Sequence, residues 1–565
     1  MVACHKKLSS PARRRRAGTE GNGLPGTLAI VLNWNKRATL ERMLESLLAS
    51  GPREFDIVVV DNGSTDGSVE MLREKYPWIQ QILNPVNLGG SGGFNRGMQY
   101  GLSHPIKYEF LWLLDNDVIV HPGAFQGLLR PMLDDPEVGI VGSTVLLLDD
   151  PTYSQEAGVH VVPSTGALER FAEGPLANLR RPQLFRCDYV AACSLLARVS
   201  AVREVGIWDP NYFVTYDDIE WGLRFNRAGW KVLGTTESMV RHESFNDRRS
   251  QTPVFSGYIC NRNALYCFWR WGRFPHKLRL FYRYFRGLQL AAGAFEEEGC
   301  AAEARGLRLA IRDFETSRMG PPPDDLHAAP DAAAESPHNQ LPAGYNRPIR
   351  RIALLARDNP ESCRRMHERL RAHFPGAEVE TVVLIGNPEL DRLDLPNRRT
   401  MSIITFPERM WHTFTFHLRY DAVASPLSLY RHFFERPVPI HIRYNQDLTW
   451  WVARRSGLAA TARHLARRVA ISITSCWKTA RAVARKPWPV DYHDFDEPGS
   501  NPTFESREGS HWRERGAYGG LPSNLRRACN TATHLLLLPF ALLTMVAVLV
   551  ALPVLALFDR NRGRT

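Results

Sequence analysis

From Thr27 onward, short uncharged runs rich in Val, Ile and Leu alternate with amphipathic segments, and few architectures accept that alternation. "TLAIVLNWN" (27–35), "FDIVVVDNGS" (55–64) and "EFLWLLDNDV" (109–118) read as strands, apolar on both sides and therefore buried on both. Between the first two, "ATLERMLESLLAS" (38–50) puts Leu40, Met43, Leu44, Leu47 and Leu48 on one helical face. "SVEMLREKYP" (68–77) is a second helix, which Pro77 stops. Strand, helix and strand at this spacing predict an α/β fold with a mainly parallel sheet covered on both faces. Such sheets bind ligands beyond the carboxyl ends of their strands. The residues that end each apolar run are therefore the first candidates for chemistry.

At 565 residues the chain is too long for one ordinary domain, and the pattern divides it. Residues 1–26 form a basic arm with Lys6, Lys7 and Arg13 to Arg16. The arm reads either as a disordered solubilising tail or as a segment drawn to anionic lipid. The formal charge of +12 comes with no nucleic-acid-binding motif, so nucleic acid is not an expected partner. Residues 27–250 carry the αβ pattern described above. Residues 251–318 are aromatic, basic and helical, suited to a membrane interface or to packing on the first domain. Residues 319–348 are a Pro- and Ala-rich linker.

A second, smaller αβ pattern fills 349–490. Its strand runs are "RRIALLA", "VETVVLI", "MSIITFP" and "YDAVASP", with the helix "CRRMHERLRAHF" between the first two. It shows no catalytic motif and reads as an accessory domain. Residues 491–534 are a further linker. Leu535 to Phe558 carry no charge, and as a helix they would be about 36 Å long, enough to cross a bilayer. Arginines flank both ends of that segment and leave its orientation open. No apolar run follows the N-terminal basic residues, so no secretory signal is expected. Nine scattered cysteines without a CxxC pair fit a reducing compartment.

Four stretches carry chemistry. Asp61 ends the second strand run, in a place that also suits an Asx turn, and Asn33 ends the first. "NLGGSGGFNRG" (87–97) has five glycines that would let backbone approach a ligand, with Asn87, Phe94, Asn95 and Arg96 supplying specific contacts. It is neither a GxxxxGK[ST] loop nor a clean GxGxxG. In "LWLLDNDV", Asp115 and Asp117 flank Asn116 at a strand end, an arrangement that can hold a hard divalent cation with phosphate oxygens. In "VTYDDIEWGLR" (214–224), Asp217 and Glu220 fit a capping box, and Glu220 can pair with Arg224. That leaves Asp218 in the first helical turn, beside Tyr216 and Trp221, as a general-base candidate.

With these stretches in order, residues 27 to about 250 resemble the family-2 glycosyltransferases of the GT-A fold. The nearest likeness is to bacterial galactofuranosyltransferases and related rhamnosyltransferases. Tyr216-Asp217-Asp218-Ile219-Glu220 followed by Gly222-Leu223-Arg224 resembles their Trp-Asp-Asp-Ala-Glu and Gly-Leu-Arg motifs, with Tyr in place of Trp. The resemblance implies a GT-A mixed sheet flanked by helices. It implies that Asp61 contacts the nucleotide, and that Asn33, Asn87, Gly89, Gly90, Gly92, Gly93, Asn95, Arg96 and Asn116 line the nucleotide-sugar site. It makes Asp115, Asp117 and His242 ligands of Mn²⁺ or Mg²⁺, and Asp218 the base. "DYVAACSLLARVSAVREVGIWDPNYF" (188–213) matches the acceptor-side segment, placing Asp188 with Asp217, Glu220 and Trp221 around the acceptor.

The expected reaction is inverting transfer from a nucleoside diphosphate sugar, UDP-galactofuranose or dTDP-rhamnose, to a glycan or lipid-linked glycan of the cell envelope. The expected location is the bacterial inner membrane, with the catalytic domain in the cytoplasm. The competing reading is a non-catalytic glycan-binding or scaffold subunit that keeps the fold.

Overall fold

The computed structural model describes residues 26–52, 54–179, 182–243, 252–272, 276–297, 300–326, 348–356, 360–384, 397–401, 416, 419–426, 440–444, 450–453, 458–484, 490 and 492–493. Residues 1–25 of the basic arm, 327–347 of the first linker, all of the second linker except 492–493, and the segment 535–558 lie outside the described residues. Among those described, no helix is long and apolar enough to cross a membrane.

The chain opens with β1 (Thr27–Asn33), α1 (Arg37–Ala49), β2 (Asp56–Asp61), α2 (Ser68–Lys75), β3 (Gln80–Leu83), α3 (Gly89–Ser103) and β4 (Phe110–Asp115). β5 (Ile119–Val120), α4 (Ala124–Asp134), β6 (Val138–Leu147), β7 (Tyr153–Glu156), β8 (Val159–Val161), β9 (Leu168–Arg170) and β10 (Gly174–Pro175) follow. Next come β11 (Leu184–Arg186), β12 (Ser194–Arg198), α5 (Val199–Val205), α6 (Asp217–Arg227) and β13 (Lys231–His242). β3, β2, β1 and β4 are parallel neighbours. β12 then runs antiparallel to both β4 and β6, and β13 lies parallel to β6. The sheet is therefore mixed, its expected parallel character holding for the first four strands.

Alternation along the strands explains the two-sided burial. Ala29 and Val31, Ile57 and Val59, and Trp112 and Leu114 share one core with Leu40, Met43, Leu44 and Leu47 of α1 and with α2 and α4. Leu28 and Ile30, Val58 and Val60, and Leu111 and Leu113 share the other core with α3, α5 and α6. Successive side chains point to opposite faces, so a continuous apolar run is what a strand between two helical layers requires.

From Gly89 on, the glycine-rich stretch is helical. It forms α3, although glycine is roughly 1 kcal/mol per residue worse than alanine in a helix. Packing overrides that cost. A Cβ at Gly93 would lie 2.3 Å from Leu32 Cδ1, and one at Gly97 would lie 2.2 Å from Ile30 Cγ2. The glycines bring the helix close to β1. Gly97→Ala is accordingly expected to cost about 1–3 kcal/mol through overpacking. Gly376→Ala, where a Cβ meets nothing within 4 Å, should change stability by less than about 0.5 kcal/mol. Thermal melts of the two variants check this.

Three helices follow: α7 (Pro253–Trp271), α8 (His276–Glu297) and α9 (Ala301–Glu315). Their aromatic residues pack inside the protein, with Tyr258, Tyr266, Trp269, Phe281 and Phe285 buried. A second sheet has the order β16-β15-β14-β17-β18-β19, with strands β14 (Arg351–Ala356), β15 (Glu378–Leu384), β16 (Arg398–Met401), β17 (Ala422–Pro426), β18 (Ile440–Tyr444) and β19 (Trp450–Ala453). It is parallel except for the β18–β19 pair. α10 (Pro360–His373) joins β14 to β15. The last helix, α11 (Leu458–Ala484), returns to α8 and α9, with Gln289 donating to Ser475 Oγ at 2.8 Å and Lys478 pairing with Glu315 at 2.6 Å.

Candidate active site

Parallel register brings the strand-end residues to one edge. Asn33 is paired with Asp61, and Leu32 with Asp115, so β1, β2 and β4 end together. There Asn33 donates to Asp61 Oδ2 at 2.8 Å and accepts from Asn116 Nδ2 at 2.7 Å. Asp61 Oδ1 accepts the Ser64 amide at 2.8 Å. All three side chains are buried. They lock the edge to itself, so Asp61 is not presented as a ligand-facing carboxylate; its Asx-turn reading is the one the structure displays.

β4 and β13 meet beyond that edge. Asp115, Asp117 and His242 each offer a ligand atom, and these atoms lie within 4.8 Å of one another. His242 Nε2 lies 3.1 Å from Asp117 Oδ1 and 3.8 Å from Asp115 Oδ2. His242 is buried, and its Nε2 has no hydrogen-bond partner among the described residues. An unsatisfied imidazole nitrogen facing two carboxylates is a donor set that could hold Mn²⁺ or Mg²⁺, so these residues fit the ion. Lys36, which sequence reasoning passed over, places Nζ 2.8 Å from Asp117 Oδ2. Its position three residues beyond the strand-end Asn33 was the available signal.

Across from this cluster stands the N-terminus of α6. The expected capping box is absent: Tyr216 is the N-cap, in a left-handed conformation, with no side-chain cap bond. Asp217 instead accepts from Ser91 Oγ of α3 at 2.7 Å. Asp218 Oδ1 accepts the Ile219 amide at 2.8 Å, and the Ala192 amide lies 3.4 Å from its Oδ2. The next residue, Cys193, accepts the Asp115 amide at 3.2 Å. One step of backbone, Ala192–Cys193, thus separates the metal-type cluster from Asp218.

The turn before α6 is strained, with positive φ at Phe213, Thr215 and Tyr216. Asn263 of α7 spans it, donating to the carbonyls of Tyr212, Val214 and Thr215 at 2.9, 2.8 and 2.9 Å. Nothing in the sequence near Asn263 signals that task.

Burial dominates the electrostatics. It pushes Asp217 up to about 6 against the Ser91 hydroxyl bond, and the charge of Asp115 adds to the rise. Asp218 is driven well above the carboxylate range by burial first and the adjacent Asp217 second. A helix N-terminus favours negative charge by roughly 0.3–2 kcal/mol, and here that is outweighed. Glu156 of β7 is a further carboxylate that the sequence did not flag. It pairs with Arg170 at 3.1 Å, is raised by burial, and its charge adds a little to the rise of Asp218. Gln155 beside it donates to the His242 carbonyl at 3.0 Å.

The acid pair sets a pH signature. A raised folded pKa means the unfolded chain releases protons more readily. The pair therefore subtracts stability above its folded values, and the loss vanishes as pH falls toward the unfolded value of 3.8. Asp218→Asn should melt several degrees above wild type at alkaline pH, with the gain fading as pH falls through the raised folded range of the pair and gone near the unfolded value of 3.8. Melting curves across that range check it.

Other expected site residues sit elsewhere. Trp221 is fully buried and donates to the Gly206 carbonyl at 2.8 Å, so it is core and not an acceptor wall. Glu220 is fully buried against Arg224 at 2.8 Å, as the i,i+4 spacing predicted, and holds the helix without facing an acceptor. Asp188 is buried, its Oδ2 shared between His160 Nδ1 and the Val161 amide, both at 2.7 Å. Asn95 spends both ends of its amide on the backbone of Trp208 at 2.9 Å. Neither of these two is available to a sugar. Asn87 Oδ1 accepts the Gly89 amide at 2.8 Å and so starts α3. Gly89 and Gly93 are buried against protein, Gly90 and Gly92 are half-exposed, and Arg96 is exposed.

Residues 25–267 match the family model described as glycosyltransferase like family 2. That match makes residues 25–267 a glycosyltransferase domain. More particularly, this domain belongs to glycosyltransferase family 2. The N-acetylglucosaminyl-diphospho-decaprenol L-rhamnosyltransferase of Mycobacterium tuberculosis is 26% identical over 232 residues, 38% of this chain and 74% of that protein. The O-antigen biosynthesis protein RfbC of Myxococcus xanthus is 29% identical over 258 residues, 44% of this chain but 20% of its own. Among solved structures, a mannosyltransferase from Pyrobaculum calidifontis in complex with GDP-Man and Mn²⁺ overlaps at 15% identity and a TM-score of 0.32, covering 53% of this chain and 89% of that one.

Proposed function

We propose that this chain is an inverting, metal-dependent glycosyltransferase of the GT-A type. It moves a sugar from a nucleoside diphosphate donor to a lipid-linked glycan in cell-envelope polysaccharide synthesis. The observation that carries the reading is the backbone step Ala192–Cys193, which joins Asp218 on one side to Asp115 on the other. A base and a diphosphate-binding cluster at that separation suit a sugar held between them. Asp115, Asp117 and His242 would hold the ion, which supplies positive charge against the charge growing on the leaving diphosphate.

The acceptor hydroxyl oxygen bonds to the anomeric carbon while the bond from that carbon to the diphosphate breaks. The electron pair leaves with the nucleoside diphosphate, and the hydroxyl proton passes to Asp218. A carboxylate raised by burial is a stronger base than one in water, which suits the transfer. The rhamnosyltransferase named above favours dTDP-rhamnose over UDP-galactofuranose as donor, and a polyprenyl-diphosphate sugar as acceptor. The uncharged segment Leu535–Phe558 supports attachment to a membrane, and the proposal places the catalytic domain on the cytoplasmic side, where nucleotide sugars are made.

The test is a screen of nucleotide sugars against the full chain, with Mn²⁺, with Mg²⁺ and with EDTA. Metal-dependent turnover of dTDP-rhamnose with a polyprenyl-diphosphate N-acetylglucosamine analogue is expected. Turnover of UDP-galactofuranose alone would keep the enzyme and change the sugar. Failure to bind any nucleotide sugar would leave the scaffold reading standing.

A further inference from the structure

The C-terminal part of the chain reaches back to the helix that carries the acid pair. Tyr492 is buried, although the sequence around it reads as linker. Its ring lies under the Arg224 guanidinium, 3.8 Å from Cζ to the ring centroid. Its hydroxyl accepts from Arg270 Nε. Its carbonyl accepts the Ile207 amide at 2.7 Å. The fit is close, because a Cβ on Gly206 would stand 2.4 Å from that carbonyl oxygen. His493 Nε2 lies 3.2 Å from the Glu204 carbonyl and continues the contact.

Arg224 is the hub of what Tyr492 covers. It binds Glu220 at 2.8 Å, the Val205 carbonyl at 3.0 Å and the Ile207 carbonyl at 2.7 Å. Trp271 Nε1 also donates to Glu220, to Oε1 at 3.0 Å. These bonds fasten α6 to the end of α5 and to α7. A fully buried ion pair holds only while water is kept from it and its hydrogen bonds stay complete. Arg224 is 1% exposed and Glu220 is not exposed at all. The Tyr492 ring closes the guanidinium face, and a desolvated cation–π contact is among the stronger of its kind.

We propose that Tyr492 is a positioning residue for the active site: by sealing the Glu220–Arg224 pair it fixes the axis of α6, and with it the placement of Asp217 and Asp218. The proposal rests on the reading of α6 as the helix bearing the base. It assigns a role in the site to a segment more than two hundred residues beyond the family match.

The experiment compares full-length wild type, Tyr492→Ala and Tyr492→Phe by amide hydrogen exchange over residues 217–224, by Mn²⁺ binding and by steady-state kinetics. Tyr492→Ala should speed exchange in α6 by about tenfold or more, since local opening sets that rate. It should lower kcat by about tenfold while donor KM and Mn²⁺ affinity stay within about twofold, because the metal cluster rests on β4 and β13. Tyr492→Phe keeps the ring under Arg224 and should stay within about threefold of wild type on every measure. Unchanged exchange in α6, or a parallel loss of Mn²⁺ affinity and kcat, overturns the proposal. Should Tyr492→Ala not fold, Tyr492→Leu, which fills the space without a ring, is read by the same criteria. If wild type turns over no sugar, the enzymatic reading fails, and the exchange measurement still decides the clamp.

Discussion

Asp218→Asn is expected to lower sugar transfer by about 10²–10⁴-fold, the range that a positioned base contributes. Mn²⁺ affinity and donor affinity should stay near wild type, because Asp218 touches Ala192 and Ile219 and belongs to no part of the Asp115–Asp117–His242 cluster. The amide keeps the shape of the carboxylate and relieves its repulsion with Asp217, so the variant should fold and gain stability at neutral pH. Loss of activity together with a raised melting temperature is a pairing that a merely structural residue would not produce. Near-normal turnover would assign the proton to another group. Glu156 is then the carboxylate to examine, since its charge is felt at Asp218.

The second large effect concerns the cluster itself. Asp117→Asn and His242→Ala should each weaken Mn²⁺ binding by at least about tenfold, or 1.4 kcal/mol, and raise donor KM in step. Titration of the paramagnetic ion reads affinity without turnover. His242 is the sharper probe, because a buried Nε2 with no hydrogen-bond partner carries a cost that a bound ion would remove. The alanine variant should therefore bind metal poorly while the apo protein loses little stability. An unchanged affinity in both variants would show that the acids serve only the Lys36 ion pair.

The strands were legible because burial on two faces forces an unbroken apolar run, and β1, β2 and β4 fall within the runs that announced them. The acids at their ends were legible by place but not by duty: Asp115 joins the cluster with Asp117 and His242, whereas Asp61 serves an Asx turn. Helix α3 was not legible as a helix, since its glycines oppose it locally and only close packing against β1 and Phe213 makes them favourable. The duties of Asn95 and Asp188 were hidden too. Asn95 spends its amide on the Trp208 backbone and Asp188 its carboxylate on His160 and the Val161 amide, and a short polar side chain looks alike whether it meets a sugar or another part of the chain. Glu156, Lys36 and Asn263 join the site through strand pairing and helix packing, which no short motif encodes.

The anchoring of α6 bears on how the enzyme can be cut down for study. The family match ends at residue 267, inside α7 and before Arg270 and Trp271. A fragment trimmed to that boundary would keep Asp115, Asp117, His242 and Asp218 yet lack the indole and the phenol that close over Glu220 and Arg224. Its inactivity would say nothing about the chemistry of the intact polypeptide. The shortest version worth expressing runs through His493.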